Sequence, residues 1–169
     1  MKKVLSLVLA LVLVLCSVSA LAEDAVKLGQ VDFAAHGTKC FAVLTVAMQG
    51  DVIADAYIDE YQFMATGSVG VPNSEADFGA SFPEGKVLAS KKVNAAAYSE
   101  NMKKAGYTVD LATNYAAIED YVTGKTVAEV EAAFAGKTAE EAVDVVSGCT
   151  LVDTLGYVNG LIEAAKSVK

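Results

Sequence analysis

The chain has 169 residues, room for one domain of ordinary size, and a formal net charge of −8 from 21 acidic and 13 basic residues. A negative surface repels polyanions, which argues against nucleic acid and anionic lipid as partners. Every basic residue is lysine, so a bidentate guanidinium clamp on phosphate is excluded, and a single histidine, His36, excludes a histidine-rich metal centre.

Met1-Lys2-Lys3, an apolar run from Val4 to Leu15, and Ala20-Leu21-Ala22 ahead of Glu23-Asp24 predict a secretory signal peptide over 1–22. Cleavage after Ala22 removes two lysines and no acid, taking the formal charge from −8 to −10 and leaving 23–169 as an exported domain, secreted or held at the cell surface. Two alternatives compete. Cys16 could carry a lipid, although Leu15 stands where a lipoprotein signal wants a small residue. The segment could also stay as an anchor, although its apolar run is short for a bilayer.

Two cysteines remain after cleavage, Cys40 and Cys149. An oxidising compartment permits a disulfide between them; two small buried thiols are the alternative. His36 and Cys40 are four apart, but Gly37 and the strand pattern that follows disfavour a helix joining them, so no metal ligand is assigned.

Cys40 to Gln49 is rich in apolar and β-branched residues, Gly50-Asp51 is a turn signal, and Val52 to Met64 mixes apolar with acidic residues, which together predict a β-hairpin. Asp55, Asp59, Glu60 and Gln62 are expected mostly on its solvated side. Asp59 and Glu60, as strand neighbours, point to opposite faces and make a poor acid–base pair. Ala65 to Lys86 holds four glycines and both prolines and reads as a long loop. Its Phe78 and Phe82 are expected to seal the core or, alternatively, to pack on a bound aromatic ring.

The character then turns helical. Val93 to Lys104 ends at Gly106, and Asn114 is expected to cap a helix reaching Tyr121 or Val122. Thr126–Glu129 and Thr138–Glu141 have capping-box spacing, and the second opens a helix over Ala139–Val146. A last helix, capped by Asp153 or Thr154 and reaching Lys166, carries a buried stripe of Leu155, Val158, Leu161, Ile162 and Ala165. The fold class expected is α+β: a small antiparallel sheet from the N-terminal hairpin, with C-terminal helices packed on it.

Between the last two helices stands Asp144-Val-Val-Ser147-Gly148-Cys149-Thr150. A turn there presents a threonine hydroxyl, a glycine with backbone freedom and a serine donor just ahead of a helix start, where an anion is favoured. The bland reading is a polar turn between helices. The segment resembles the flavin-attachment motif Asp-x-x-Ser/Thr-Gly-Ala-Ser/Thr of the FMN-binding domain family, with Cys149 where that family usually has alanine. Val93–Ser99, Ile118–Val122, Gly124–Thr126 and Thr150–Val158 are similar to segments of its surface members.

The resemblance implies FMN joined by a phosphoester to Thr150, with Asp144, Ser147, Gly148 and Cys149 as its motif neighbours. It also implies a separate FAD-using flavin transferase that makes the bond. A membrane quinone oxidoreductase or another redox partner would supply electrons, making the protein an extracytoplasmic electron carrier. Since relatives carry a small apolar residue at Cys149, a buried thiol is expected there rather than a disulfide. No catalytic residue of its own is assigned: there is one histidine, no Gly-x-Ser-x-Gly elbow and no Gly-x-Gly-x-x-Gly loop. The alternatives are an exported binding or adhesion module of the same fold without flavin, and a soluble enzyme reducing a small substrate.

Overall fold

A computed structural model describes residues 25–37, 39–74 and 78–169. The signal-peptide reading of 1–22, with Cys16, lies outside the described residues. Four strands, β1 (Lys27–Phe33), β2 (Cys40–Gln49), β3 (Val52–Ala65) and β4 (Lys86–Ser90), form one antiparallel sheet in the order β1-β2-β3-β4. Five helices follow: α1 (Ala95–Lys104), α2 (Leu111–Val122), α3 (Val127–Phe134), α4 (Ala139–Val143) and α5 (Thr154–Lys166). The α+β architecture is the one expected. The predicted hairpin is its centre, while β1 and β4 are additions at the two sides. Among the described residues no helix is long and apolar enough to cross a membrane.

Alternation puts Ala42, Leu44, Val46 and Met48 of β2 on one face, all buried. A register shift at Ala47/Met48 brings both Ile53 and Ala56 of β3 to that same side. The helices cover this face with Leu111, Tyr115, Ile118, Val130, Val158 and Leu161, every one essentially inaccessible. Helix α5 lies on β1 so closely that a Cβ built on Gly29 would stand 2.0 Å from the carbonyl oxygen of Ala164. Backbone must therefore move to admit any side chain there. Gly29→Ala is expected to cost about 1–3 kcal/mol, the usual penalty of overpacking, measured by urea denaturation.

Strand β4 pairs with β3 only at Tyr61–Ala65, leaving the first half of β3 with an open edge. Helix α2 and the linker after it close that edge. Glu119 Oε1 accepts from the Ile58 amide at 2.6 Å, Ile53 N–H donates to Lys125 O at 2.9 Å, and Gly124 N–H donates to Ile53 O at 2.8 Å. Both predicted capping boxes are present, at Thr126–Glu129 and Thr138–Glu141.

Several local expectations are corrected. The cap of α2 is Asp110, whose carboxylate accepts from Thr113 N–H, and Asn114 lies inside the helix, fully buried. Helix α4 stops at Val143 rather than Val146. Asp59 and Glu60 point to opposite sides as expected but are 5% and 0% exposed, not solvated, because Ser90 binds one and Lys91 the other. Phe78 and Phe82 do not seal the core. They form an edge-to-face series with Phe63, centroids 5.1 Å apart, on the face of the sheet opposite the helices.

Candidate functional site

Asp144 ends α4 and is exposed, Ser147 and Gly148 follow on an exposed turn, and the chain then dives so that Cys149 is buried and Thr150 half-buried. Gly148 has φ +86°, the left-handed region that glycine adopts without the Cβ penalty. Cys149 fills a core position, its Sγ 3.1 Å from Thr154 Oγ1. Cys40 and Cys149 are both free thiols; Cys149 is buried as expected, whereas Cys40 is only partly so.

Thr150 is held by a residue that sequence reasoning assigned elsewhere. Its backbone N–H donates to Asn114 Oδ1 at 2.6 Å and its hydroxyl to the same oxygen at 3.3 Å. The other end of the Asn114 amide donates to Val109 O at 3.1 Å and Asp110 O at 2.9 Å, which fixes its orientation. One buried amide thus ties the motif turn to the start of α2 through the Thr150 backbone, with a longer contact to the threonine hydroxyl. The expected role of the α5 N-terminus is weaker than supposed. Leu151, Val152 and Asp153 intervene, and the Thr150 amide is bonded to Asn114 rather than free for an anion.

Beside the turn, the outer surface of α2 forms a groove of about 410 Å³ lined by Thr113, Ala116, Ala117, Asp120, Tyr121 and Ser147. Its floor is small side chains. The groove is shallow and open to solvent, and depressions of similar volume occur elsewhere on the surface, so its place beside Ser147 rather than its size is what distinguishes it.

A second polar centre lies on the far side of Leu151 and was not foreseen. Glu60, fully buried, accepts from Lys91 Nζ and, at 3.0 Å, from the Tyr157 hydroxyl. Lys91 is 1% exposed and its ammonium also stands 3.0 Å from His36 Nδ1. Burial pushes the Glu60 carboxyl up, but His36, its Nδ1 3.7 Å from Oε2, and the hydrogen bonds from Lys91 and Tyr157 outweigh it and hold the group at about 2. Lys91 is desolvated too, yet its bond to Glu60 keeps its affinity for a proton above the ordinary value. Glu60 Oε1 is buried with no hydrogen-bond partner among the described residues. Cys40 lies next to this carboxylate, its thiol pushed up by burial and by the Glu60 charge. His36 and Cys40 therefore do meet, through a turn and a neighbouring strand rather than a helix. An adjoining cavity of about 110 Å³ is lined by His36, Lys91, Tyr98, Tyr107, Asp153 and Tyr157 among others.

No protein-family model, curated protein or solved structure matches this chain. The fold and the two polar centres define it as a two-layer α+β domain with a threonine-bearing turn between its last two helices.

Proposed function

We propose that the protein is an exported electron carrier holding FMN through a phosphoester on Thr150. The observation that carries this reading is the hold of Asn114 on Thr150. A half-exposed threonine, on a turn with a left-handed glycine, has its backbone fixed by one buried acceptor while its hydroxyl makes only a long contact to the same atom. Such an oxygen is presented for modification by an outside enzyme and lacks any base of its own to activate it.

The residues fit the group. The shallow groove on α2 beside Ser147 has Ala116, Ala117 and Tyr121 in its lining, against which a flat ring tethered nearby would lie. Asp120 in that groove and the absence of arginine make non-covalent capture of a phosphate weak, so a covalent bond accounts for retention outside a cell. In the attachment step the bond between Thr150 Oγ and the flavin-side phosphorus of FAD forms. The pyrophosphate bond breaks, AMP leaves, and the hydroxyl proton passes to the transferase. When bound, the flavin supplies reversible electron uptake; this chain's residues orient the linkage and shape the groove.

The test is the intact mass, under denaturing conditions, of protein co-expressed with a flavin transferase. An FMN-sized increment is expected, and an unmodified mass leaves the binding-module reading in its place. That second reading is favoured by the exposed aromatic face of the sheet, where Phe41 and Phe63 are each about two-fifths accessible.

A further inference from the structure

We propose that His36, Cys40 and Glu60 form a binding site for a divalent transition metal ion of the zinc type, with Lys91 as the internal cation that fills the site until metal enters. This does not rest on the flavin reading.

The donor atoms of the three residues all lie within 4.8 Å of one another. Tetrahedral zinc ligands stand roughly 3.3–3.8 Å apart, given metal–ligand lengths of about 2.0–2.3 Å. The remaining contraction falls to His36 and Cys40, which are partly exposed and free to turn, while Glu60 is fixed in β3. Imidazole nitrogen, thiolate sulfur and carboxylate oxygen together select a borderline ion and disfavour calcium and magnesium, which take oxygen ligands.

Two features point to a cation here independently of the donor set. Glu60 is a buried ionised carboxylate whose Oε1 has no partner among the described residues, while Oε2, 3.7 Å from His36 Nδ1, is held by Lys91 and Tyr157. A cation bound through both oxygens would satisfy the first and replace the ammonium at the second. His36 turns Nδ1 toward Glu60 and Nε2 toward Asp153, whose Oδ2 is 3.8 Å away, close enough to take up the outer N–H by a small movement, as carboxylates do behind metal-bound histidines.

The structure also supplies a place for the displaced ammonium. Lys91 Nζ is 4.9 Å from the centroid of the Tyr98 ring and borders the cavity that holds Asp153, so it can turn toward an aromatic face and a carboxylate. Charge balances across the exchange. Without metal, Glu60 and Lys91 cancel and Cys40 is a thiol, its proton held by burial and by the Glu60 charge. With metal, the dication cancels Glu60 and the Cys40 thiolate, Lys91 faces Asp153, and the thiol proton, together with any proton on His36, goes to solvent.

The experiment titrates chelator-treated protein with Co²⁺ alone and reads the thiolate-to-cobalt charge-transfer absorption in the near ultraviolet. One equivalent should give the band, Zn²⁺ should abolish it, and Cys149→Ser and Thr150→Ala should leave it intact. Cys40→Ser should lose it, and His36→Ala should weaken affinity by ~100-fold or more. No band in the parent protein, or a band that survives Cys40→Ser, overturns the proposal. Lys91→Met gives a second measurement: Zn²⁺ should raise its unfolding temperature more than that of the parent, and an equal or smaller rise also overturns it. Because Thr150→Ala retains cobalt binding, failure here leaves the flavin reading untouched, and the converse holds.

Discussion

Thr150→Ala is expected to abolish covalent flavin completely while changing stability by less than about 1 kcal/mol. The two effects separate because the structural bond at this position is the backbone one. Thr150 N–H keeps its 2.6 Å contact with Asn114 Oδ1 whatever the side chain, whereas the hydroxyl contact at 3.3 Å is long and replaceable by water. Thr150→Ser keeps the hydroxyl and should keep the flavin. Asn114→Ala should leave the acceptor oxygen in place but unguided: the flavinylated fraction falls, and stability drops by about 1–3 kcal/mol as the Thr150 amide, Val109 O and Asp110 O lose a buried partner. Denaturing mass spectrometry and urea unfolding of the same samples read both quantities. A flavin-sized increment that persists in Thr150→Ala would move the attachment to another residue and end the assignment of this turn.

The motif residues were legible because they are contiguous. Asn114, their anchor, was not, since it lies 36 positions upstream of Thr150 and asparagine has a local reason to occur near a helix start. Asp110 has the same preference and takes the cap, which frees Asn114 for a tertiary role. The hairpin could be read from alternation and a Gly-Asp turn, and both capping boxes from spacing alone. Strand β1, Lys-Leu-Gly-Gln-Val-Asp-Phe, escapes such a reading because its inward positions are Gly29, Val31 and Phe33, and the glycine that lets α5 approach erases the apolar signal. Strand β4 is five residues long and adjoins a glycine-rich loop. The polar centre was invisible for a different reason. Charge in a strand is normally solvated, and Glu60 is an interior residue through Lys91, 31 residues away and itself buried, and Tyr157, 97 residues away.

Lys91→Met is expected to cost about 3–5 kcal/mol, the usual penalty for leaving one member of a buried ion pair without its partner. Glu60 would keep only Tyr157 as a donor, with the half-exposed His36 3.7 Å away, in a place its carboxylate cannot leave. Removing both charges should do far less harm. Glu60→Leu combined with Lys91→Met exchanges two desolvated ions for apolar side chains of similar bulk, and such exchanges are neutral or stabilising elsewhere. The double variant should therefore recover most of the loss, and a double-mutant cycle by urea denaturation measures the coupling. The pH dependence carries the same sign. A carboxyl held at about 2 when folded, below its unfolded value, contributes stability present above that unfolded value and lost only as pH falls toward 2. The parent should thus keep the pair through mild acid, while Lys91→Met should regain stability as acid protonates Glu60. If the double variant were as unstable as Lys91→Met, the cost would lie in packing around Tyr115 and Tyr157 rather than in unpaired charge. A pair that gives little net stability still ties β3, the β4–α1 linker, the turn bearing His36 and α5 to one carboxylate. That fixes the start of α5, four residues beyond Thr150, and so the geometry in which the threonine is presented.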